Sequence, residues 1–281
     1  MQHGEEDNEF GGYFVCNGIE RMIRMLIATR RNYVLALRRG AYTKRGPIYT
    51  DAACLVRCVR PDYSSQTVRT HYLTDGTVNF AFTMSRAEYF LPAGILLKCL
   101  VEATDKEIFE RLVSSAPGPA DGVSDETGGH TGFVSERAEL LLRQAAKWGL
   151  RTRAQCLAYV GNMFRSALKL GEEVSDEECG RKLLKDYVFM HLERDEDKAG
   201  LLVLMLQKLY ALVNSQCCED NPDALVMHEI LQPGHLLCKF MRERLEDCMI
   251  AAREQCEKDQ RMKPESVNLE VRGMPPGADL P

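Results

Sequence analysis

The sequence predicts an α+β fold in which a β-rich N-terminal part is followed by a helical bundle. Residues 11–85 contain two dipeptides typical of tight hairpin turns, Asn-Gly and Asp-Gly, each placed between β-prone stretches. After Phe90 the apolar residues instead recur at helical spacing, and two capping-box patterns occur in this later part. The order of these signals therefore places the strands first and the helices second.

The predicted strands lie beside the two turns. They cover residues 13–16, 53–59, 67–73 and 77–84. Asn17 and Gly18 turn the chain back after the first strand, and Asp75 and Gly76 join the last two. Residues 19–27 are ambiguous, because their apolar side chains follow helical spacing while the preceding Asn-Gly turn favours a returning strand.

Helices are predicted from residue 93 onward. They cover residues 93–101, 106–113, 135–148, 152–169, 175–191 and 199–213, and a long amphipathic helix follows Pro233 and Gly234. Thr152 with Gln155 and Ser175 with Glu178 form the two capping-box patterns. The helix at 199–213 is apolar on nearly every face, which indicates the central buried helix.

Two segments lack a periodic apolar pattern. Residues 114–132 are rich in Gly, Pro, Ser and Asp, which is typical of a flexible insertion. Residues 258–281 lose the helical period and are predicted to form a disordered tail.

Composition excludes several classes of protein. The chain has 281 residues, of which 45% are hydrophobic and 27% charged, so it is not wholly disordered, collagen-like or a small disulfide scaffold. The longest nearly apolar run, residues 200–206, is far shorter than the ~20 residues of a membrane helix. The first fifteen residues have no basic region and no apolar core, so we expect no secretory signal there. The eleven cysteines then favour a reducing compartment.

The net charge of −5 hides an uneven distribution. Residues 21–60 contain ten Lys or Arg residues and one acid, so this segment carries +9 and the remainder carries −14. A basic block on an acidic protein is a candidate surface for a polyanion. Basic strands and loops that merely remain soluble beside acidic neighbours would show the same pattern.

No catalytic or metal-binding pattern stands out. A zinc cluster could be read from Cys217, Cys218, His228, His235 and Cys238, and a second pair of thiols is Cys54 and Cys58. The spacings do not match the short ligand pairs of structural zinc sites, so buried core thiols are the favoured interpretation. No histidine carries the signature of a thiol hydrolase, and no glycine-rich loop has the context of a phosphate-binding loop.

Residues 11–27 resemble a hairpin motif of the second-largest (β-type) subunit of multisubunit DNA-directed RNA polymerases. The matching positions are Gly12, Phe14, Asn17, Gly18, Glu20 and Arg21. Further blocks in the same order, at 23–33, 43–50, 71–78, 88–101 and 219–237, resemble the RNA polymerase I class of that subunit. The family hairpin implies that residues 19–27 return as a strand.

The resemblance spans residues 9–257 and implies the lobe of that subunit. It implies a remnant of the protrusion domain at 1–30, a lobe domain at 31–257 and a divergent tail at 258–281. The family's catalytic aspartates and zinc site lie elsewhere in the enzyme. We therefore expect no cofactor and no catalytic residue in this chain, with Mg²⁺ and Zn²⁺ in the assembled polymerase. The chain is expected to be a fragment, a truncated gene model or a divergent splice product, and to be inactive alone.

The implied function is a part of RNA polymerase I, the nucleotidyltransferase that transcribes ribosomal RNA genes in the nucleolus of the nucleus. The lobe would line the DNA cleft and dock the zinc-ribbon subunit and a heterodimer resembling an initiation factor, within an enzyme built on the largest subunit. No membrane association is expected.

The basic residues predicted to contact DNA phosphates, without reading sequence, are Arg30, Arg31, Arg38, Arg39, Lys44 and Arg45. Their competing role is to anchor neighbouring acidic subunits. The alternative function is a free-standing, lobe-derived interaction scaffold without polymerase activity, and a third is a cysteine-dependent hydrolase.

Overall fold

The computed structural model describes residues 13–84, 86–114, 129–168, 170–171 and 173–262, with backbone only at 129–131 and 260–262. By its internal contacts the chain divides into two units. One combines Met1–Ala28 with Glu229–Pro281, and the other is Thr29–His228. The predicted division into a hairpin remnant at 1–30, a lobe at 31–257 and a tail at 258–281 stays a prediction.

The strands in the described part of the chain are β1 (Phe14–Cys16), β2 (Ile19–Arg21), β3 (Leu26–Thr29), β4 (Val34–Arg38), β5 (Tyr49–Val59), β6 (Ser65–Leu73), β7 (Val78–Met84), β8 (Ala87–Pro92) and β9 (His228–Leu231). The α-helices are α1 (Ala93–Leu100), α2 (Asp105–Ser114), α3 (Gly129–Lys147), α4 (Arg153–Phe164), α5 (Asp176–Asp186), α6 (Asp195–Val213) and α7 (Pro233–Met262). A 3₁₀ helix, Gly40–Arg45, connects β4 to β5. No helix among the described residues is long and apolar enough to cross a membrane.

The first hairpin confirms the turn predicted from Asn17 and Gly18. Both residues have positive φ, 52° and 76°, as a type I′ turn requires. The returning strand predicted over 19–27 is too long, however. β2 pairs with three residues of β1 and ends at Arg21, and residues 22–25 belong to no strand. The chain resumes extended structure in β3, which pairs with β9.

A five-stranded antiparallel sheet dominates the larger unit, with strand order β4-β5-β6-β7-β8. The strands predicted at 53–59, 67–73 and 77–84 are confirmed as parts of β5, β6 and β7, although β5 already begins at Tyr49. The outer strands β4 and β8 were not predicted. Their residues carry no local turn signal comparable to Asp-Gly, and both depend on pairing with a neighbour.

One face of this sheet packs against the helices. Side chains at alternate positions, such as Cys54, Val56 and Cys58 of β5, join a single hydrophobic core with residues of α1, α4 and α6. The opposite face carries Leu35, Leu37 and Leu55 in a small separate cluster. This outer face also holds charged residues, among them Arg57 and Arg69.

The helices largely confirm their sequence signals. Thr152 and Ser175 each cap a helix with a complete capping box, at the start of α4 and of α5. Both helices end earlier than predicted, at Phe164 and Asp186. α6 is buried along most of its length, as predicted. It begins four residues before position 199, because Asp195, Glu196 and Asp197 form a first turn that suits the positive end of the helix.

Parts of the two segments predicted to lack structure are helical. α2 extends to Ser114 and α3 begins at Gly129, so both ends of the predicted insertion at 114–132 belong to helices. Residues 115–128 lie outside the described residues. α7 continues through residues 258–262, which corrects the prediction of disorder there, and residues 263–281 lie outside the described part.

Candidate nucleic-acid interface

The six predicted phosphate-contacting residues lie close together in the chain and within the larger unit. Arg30 and Arg31 precede β4, Arg38 ends it, and Arg39 is the N-terminal cap of the 3₁₀ helix. The 3₁₀ helix carries the other two in its last turn: Lys44 and Arg45. Their side chains have three kinds of surroundings: two form ion pairs within the chain, two lie over aromatic rings, and two are exposed.

Arg38 and Arg45 are engaged within the chain. Arg45 Nη2 lies 2.8 Å from Glu88 Oε2, and Arg69 Nη1 lies 3.1 Å from the other oxygen of the same carboxylate. These side chains are about three-quarters buried, so the pairs are less screened by solvent than ordinary surface pairs. Arg38 Nη1 lies 3.3 Å from Asp51 Oδ1, and its Nη2 donates to the Leu212 carbonyl at 3.2 Å.

Arg30 and Arg31 each lie over an aromatic ring. The Arg30 guanidinium carbon is 5.0 Å from the centre of the Tyr33 ring, and that of Arg31 is 5.5 Å from the Tyr63 ring. A guanidinium within about 6 Å of a ring centre is attracted by the π electrons of that ring. The backbone N–H of Arg30 donates to the Met227 carbonyl at 2.8 Å, which fixes the position of this residue.

Arg39 and Lys44 have exposed side chains that form no ion pair with any described residue. The backbone of Arg39 is held by a 2.8 Å hydrogen bond from its N–H to the Asp51 carbonyl, so the free side chain starts from a fixed point. Of the six predicted residues, these two are the best suited to receive a phosphate, because no internal carboxylate must first be displaced.

Two further arginines, Arg57 and Arg69, lie on the outer face of the sheet and were not among the predicted site residues. Arg39 and Arg69 line a cleft of about 190 Å³, whose other lining residues are Thr29, Thr67, Pro222 and the outer-face leucines Leu35, Leu37 and Leu55. Arg57, on β5, pairs with Thr67 of β6, and its Nη1 donates to the Thr29 carbonyl at 2.9 Å. The alternation within residues 53–59 could have revealed Arg57, because it shares a face with Leu55 and not with Cys54 or Val56.

A buried histidine, His71, lies on the same outer face of the sheet, two residues from Arg69 on β6. His71 has no exposed surface, and neither ring nitrogen has a hydrogen-bond partner among the described residues. Its ring centre lies 4.9 Å from that of Tyr42 and 5.8 Å from that of Tyr49, both edge to face. Burial, reinforced by the positive charge of Arg45, lowers the pKa of His71 to about 4. The imidazole is therefore neutral at physiological pH and acts as an aromatic core residue.

The thiols divide into two groups. Cys54 and Cys58 are fully buried, which confirms the core interpretation for them, and burial raises the pKa of the Cys58 thiol to about 12. Cys218 and Cys238 are exposed, so the prediction that they are buried core thiols is wrong. Cys217 is half-buried. Within the described ranges, no group of three or more His, Cys, Asp or Glu residues is placed to hold a metal ion.

The larger unit is therefore an α+β module. Its helices pack on one face of an antiparallel sheet, and the opposite face carries arginine side chains. The chain belongs to the family described as RNA polymerase Rpb2, domain 2, whose model matches residues 30–231. That range coincides closely with the unit Thr29–His228.

Curated relatives are similar along nearly the whole chain. The chain is 41% identical over 280 residues to the probable DNA-directed RNA polymerase I subunit RPA2 of Schizosaccharomyces pombe, covering 100% of this chain and 22% of that protein. It is 43% identical over 252 residues to subunit RPA2 of Neurospora crassa, covering 87% and 20%. The human subunit RPA2 is 36% identical over 282 residues, covering 100% and 24%. The chain thus spans about a fifth to a quarter of the length of these relatives.

Proposed function

We propose that this chain forms the lobe of the second-largest subunit of RNA polymerase I and acts in the transcription of ribosomal RNA genes. The observation that carries the proposal is the identity of 36–43% with subunits of that enzyme, sustained over 87–100% of the chain. The proposed location is the nucleus, within the nucleolus. The alternative of a free-standing scaffold gains no support from these relatives.

In this proposal the lobe lines the DNA cleft through contacts with phosphate groups. Arg30, Arg31, Arg38, Arg39, Lys44 and Arg45 remain the proposed contact set, and Arg39 and Lys44 contribute most because they have no internal ion pair. Phosphate contacts position DNA without reading its sequence. A polymerase that moves over any template needs this kind of contact.

The proposed partners are the largest subunit, the zinc-ribbon subunit and the heterodimer resembling an initiation factor. The nucleotidyl transfer itself, with its Mg²⁺, is assigned to the assembled enzyme, and so is its Zn²⁺. This chain would contribute binding surfaces only and would be inactive alone.

The DNA role is tested by reversing the two unpaired charges with the double variant Arg39→Glu and Lys44→Glu. We expect the wild type to bind duplexes of unrelated sequence weakly and equally, with an affinity that falls steeply as salt rises. Removing two phosphate contacts reduces the slope of log K against log salt by about 2. Fluorescence anisotropy with a labelled duplex at several salt concentrations measures both quantities.

The matched control is Lys147→Glu with Lys182→Glu, which changes the net charge equally at exposed positions on α3 and α5. The control should keep the wild-type salt slope. If the two double variants lose affinity equally, binding depends on net charge alone and the assignment of Arg39 and Lys44 is wrong.

A further inference from the structure

The two edge strands of the five-stranded sheet, β4 and β8, differ in whether their outward backbone groups have hydrogen-bond partners. At the β4 edge, the N–H of Ala36 donates to the Asp220 carboxylate at 2.7 Å, and the N–H of Asp220 donates back to the Ala36 carbonyl at 2.8 Å. Lys208 Nζ donates to the Val34 carbonyl at 2.9 Å and pairs with Asp220 at 2.7 Å. Both outward backbone groups of Ala36 and the carbonyl of Val34 are therefore occupied, which hinders another strand from pairing there.

The β8 edge is open. The N–H of Leu73 donates to the Thr77 carbonyl at 2.9 Å, so these residues form a hydrogen-bonded pair between β6 and β7. Because such pairs alternate along an antiparallel ladder, Phe80 and Phe82 bond toward β8. Their partners in the register are Leu91 and Tyr89.

The residues between these partners, Glu88 and Phe90, then direct their N–H and C=O groups away from the sheet. Among the described residues, no backbone or side-chain hydrogen bond reaches these groups. Both residues are partly exposed, and Ala87 at the start of the strand is exposed. This edge is a template onto which a further strand can be added.

The charges beside the open edge indicate what kind of segment fits. Glu88 is the one carboxylate that Arg45 and Arg69 share, so the group retains a net positive charge. The Arg45 guanidinium carbon also lies 6.0 Å from the centre of the Phe90 ring, which places the charge on the outer face of the sheet beside the β8 edge. An acidic side chain on an added strand would complete the neutralisation.

We infer that the β8 edge binds an extended segment of another polypeptide, which adds a sixth strand and presents an acidic residue to Arg45. The inference rests on the docking role proposed above and names the surface for it. Main-chain hydrogen bonds to Glu88 and Phe90 supply the affinity, and the acidic residue supplies the selectivity. A second copy of this chain is a poorer occupant, because pairing β8 with itself brings two such positive groups together.

The test compares Phe90→Pro with Phe90→Leu. Both variants lose the aromatic ring, but only proline removes the outward N–H, and a sheet tolerates proline at an edge position. The probes are overlapping synthetic peptides that cover the sequences of the other RNA polymerase I subunits, since an added strand is an extended segment that a linear peptide can reproduce. We expect at least one acidic peptide to bind the wild type and Phe90→Leu alike. It should bind Phe90→Pro roughly tenfold more weakly.

A second measurement does not depend on the variants. In the wild type, hydrogen exchange at the amides of Glu88 and Phe90 should slow when the peptide binds, while that at Ala36 should not change. A peptide could instead bind the wild type, Phe90→Leu and Phe90→Pro equally and leave the amides of Glu88 and Phe90 unprotected. That result would overturn the β8 site but would be compatible with the docking role. If no peptide binds any of the three proteins, the β8 site is overturned, whereas the docking role fails only if the folded partner subunits also do not bind the chain. A concentration-dependent dimer that Phe90→Pro abolishes would assign the edge to a second copy and overturn the inference.

Discussion

At the scale of single residues, the surroundings of His71 make the stability of the fold depend on pH. The ring is enclosed by Tyr42 and Tyr49, and the ion-paired group of Arg45, Arg69 and Glu88 lies beside it. Protonation would place a charge in this apolar enclosure, next to two arginines and one carboxylate. Between about pH 4 and 6.5, His71 is therefore neutral in the folded state and protonated in the unfolded chain.

His71→Phe should remove this pH dependence while keeping the aromatic packing. The pKa of His71 is about 4 in the folded state and 6.5 for an unperturbed histidine, so its contribution to stability is complete above pH 6.5 and is lost as the pH falls toward 4. At pH 5 the wild type should have lost about 2 kcal/mol of unfolding free energy relative to pH 7.5 through this residue alone. Urea unfolding of both proteins at several pH values measures the difference. Parallel pH profiles would show that His71 does not titrate as described.

The same scale shows which site residues could be predicted from the sequence. The cluster of arginines is visible in the sequence, because residue type and local density are local properties. The partners are not, since Glu88 lies 43 residues from Arg45 and only strand pairing brings them together. The distinction between ion-paired Arg45 and unpaired Arg39 therefore required the fold.

At the scale of elements, close contact between α4 and α5 depends on two glycines. A Cβ at Gly161 would lie 1.7 Å from the Asp176 carbonyl oxygen, and one at Gly180 would lie 2.4 Å from that of Leu157. These distances leave no room for a methyl group, and the obstructing atoms belong to backbone. The missing side chains thus set how closely the two helices approach.

Gly161→Ala should destabilise the protein by about 3 kcal/mol, although alanine is the better helix former, because the helices must separate. The matched control is Gly200→Ala in α6, where nothing lies within 4 Å of the added Cβ. That control should gain roughly 0.5–1 kcal/mol. Thermal and urea unfolding of both variants measure the changes. Equal effects of the two substitutions would contradict the close packing of α4 and α5.

Elements with local signals were predictable, and elements that depend on distant pairing were not. Asn17 with Gly18, and the capping boxes at Thr152 and Ser175, act within four residues and were read correctly. β4 depends on β5 for its hydrogen bonds, and on Asp220, which is 184 residues from Ala36, for its edge.

At the scale of the whole molecule, the chain separates a helical core from a charged outer sheet face. The segment 21–60 carries +9 against −14 elsewhere, and the sheet places several of its arginines on the outer face, away from the helices. This arrangement agrees with the proposed role of the chain as one part of a larger assembly. The chain spans 20–24% of the length of its relatives.

The central claim is that this chain belongs to RNA polymerase I, and affinity purification of the tagged protein from its own cells tests it most directly. Quantitative mass spectrometry of the recovered material at physiological salt measures the largest polymerase I subunit relative to the tagged chain. We expect this subunit to be recovered in a fixed ratio to the chain, and we expect that ratio to persist after nuclease treatment. Recovery of the chain without the largest subunit would show that the chain is not part of RNA polymerase I.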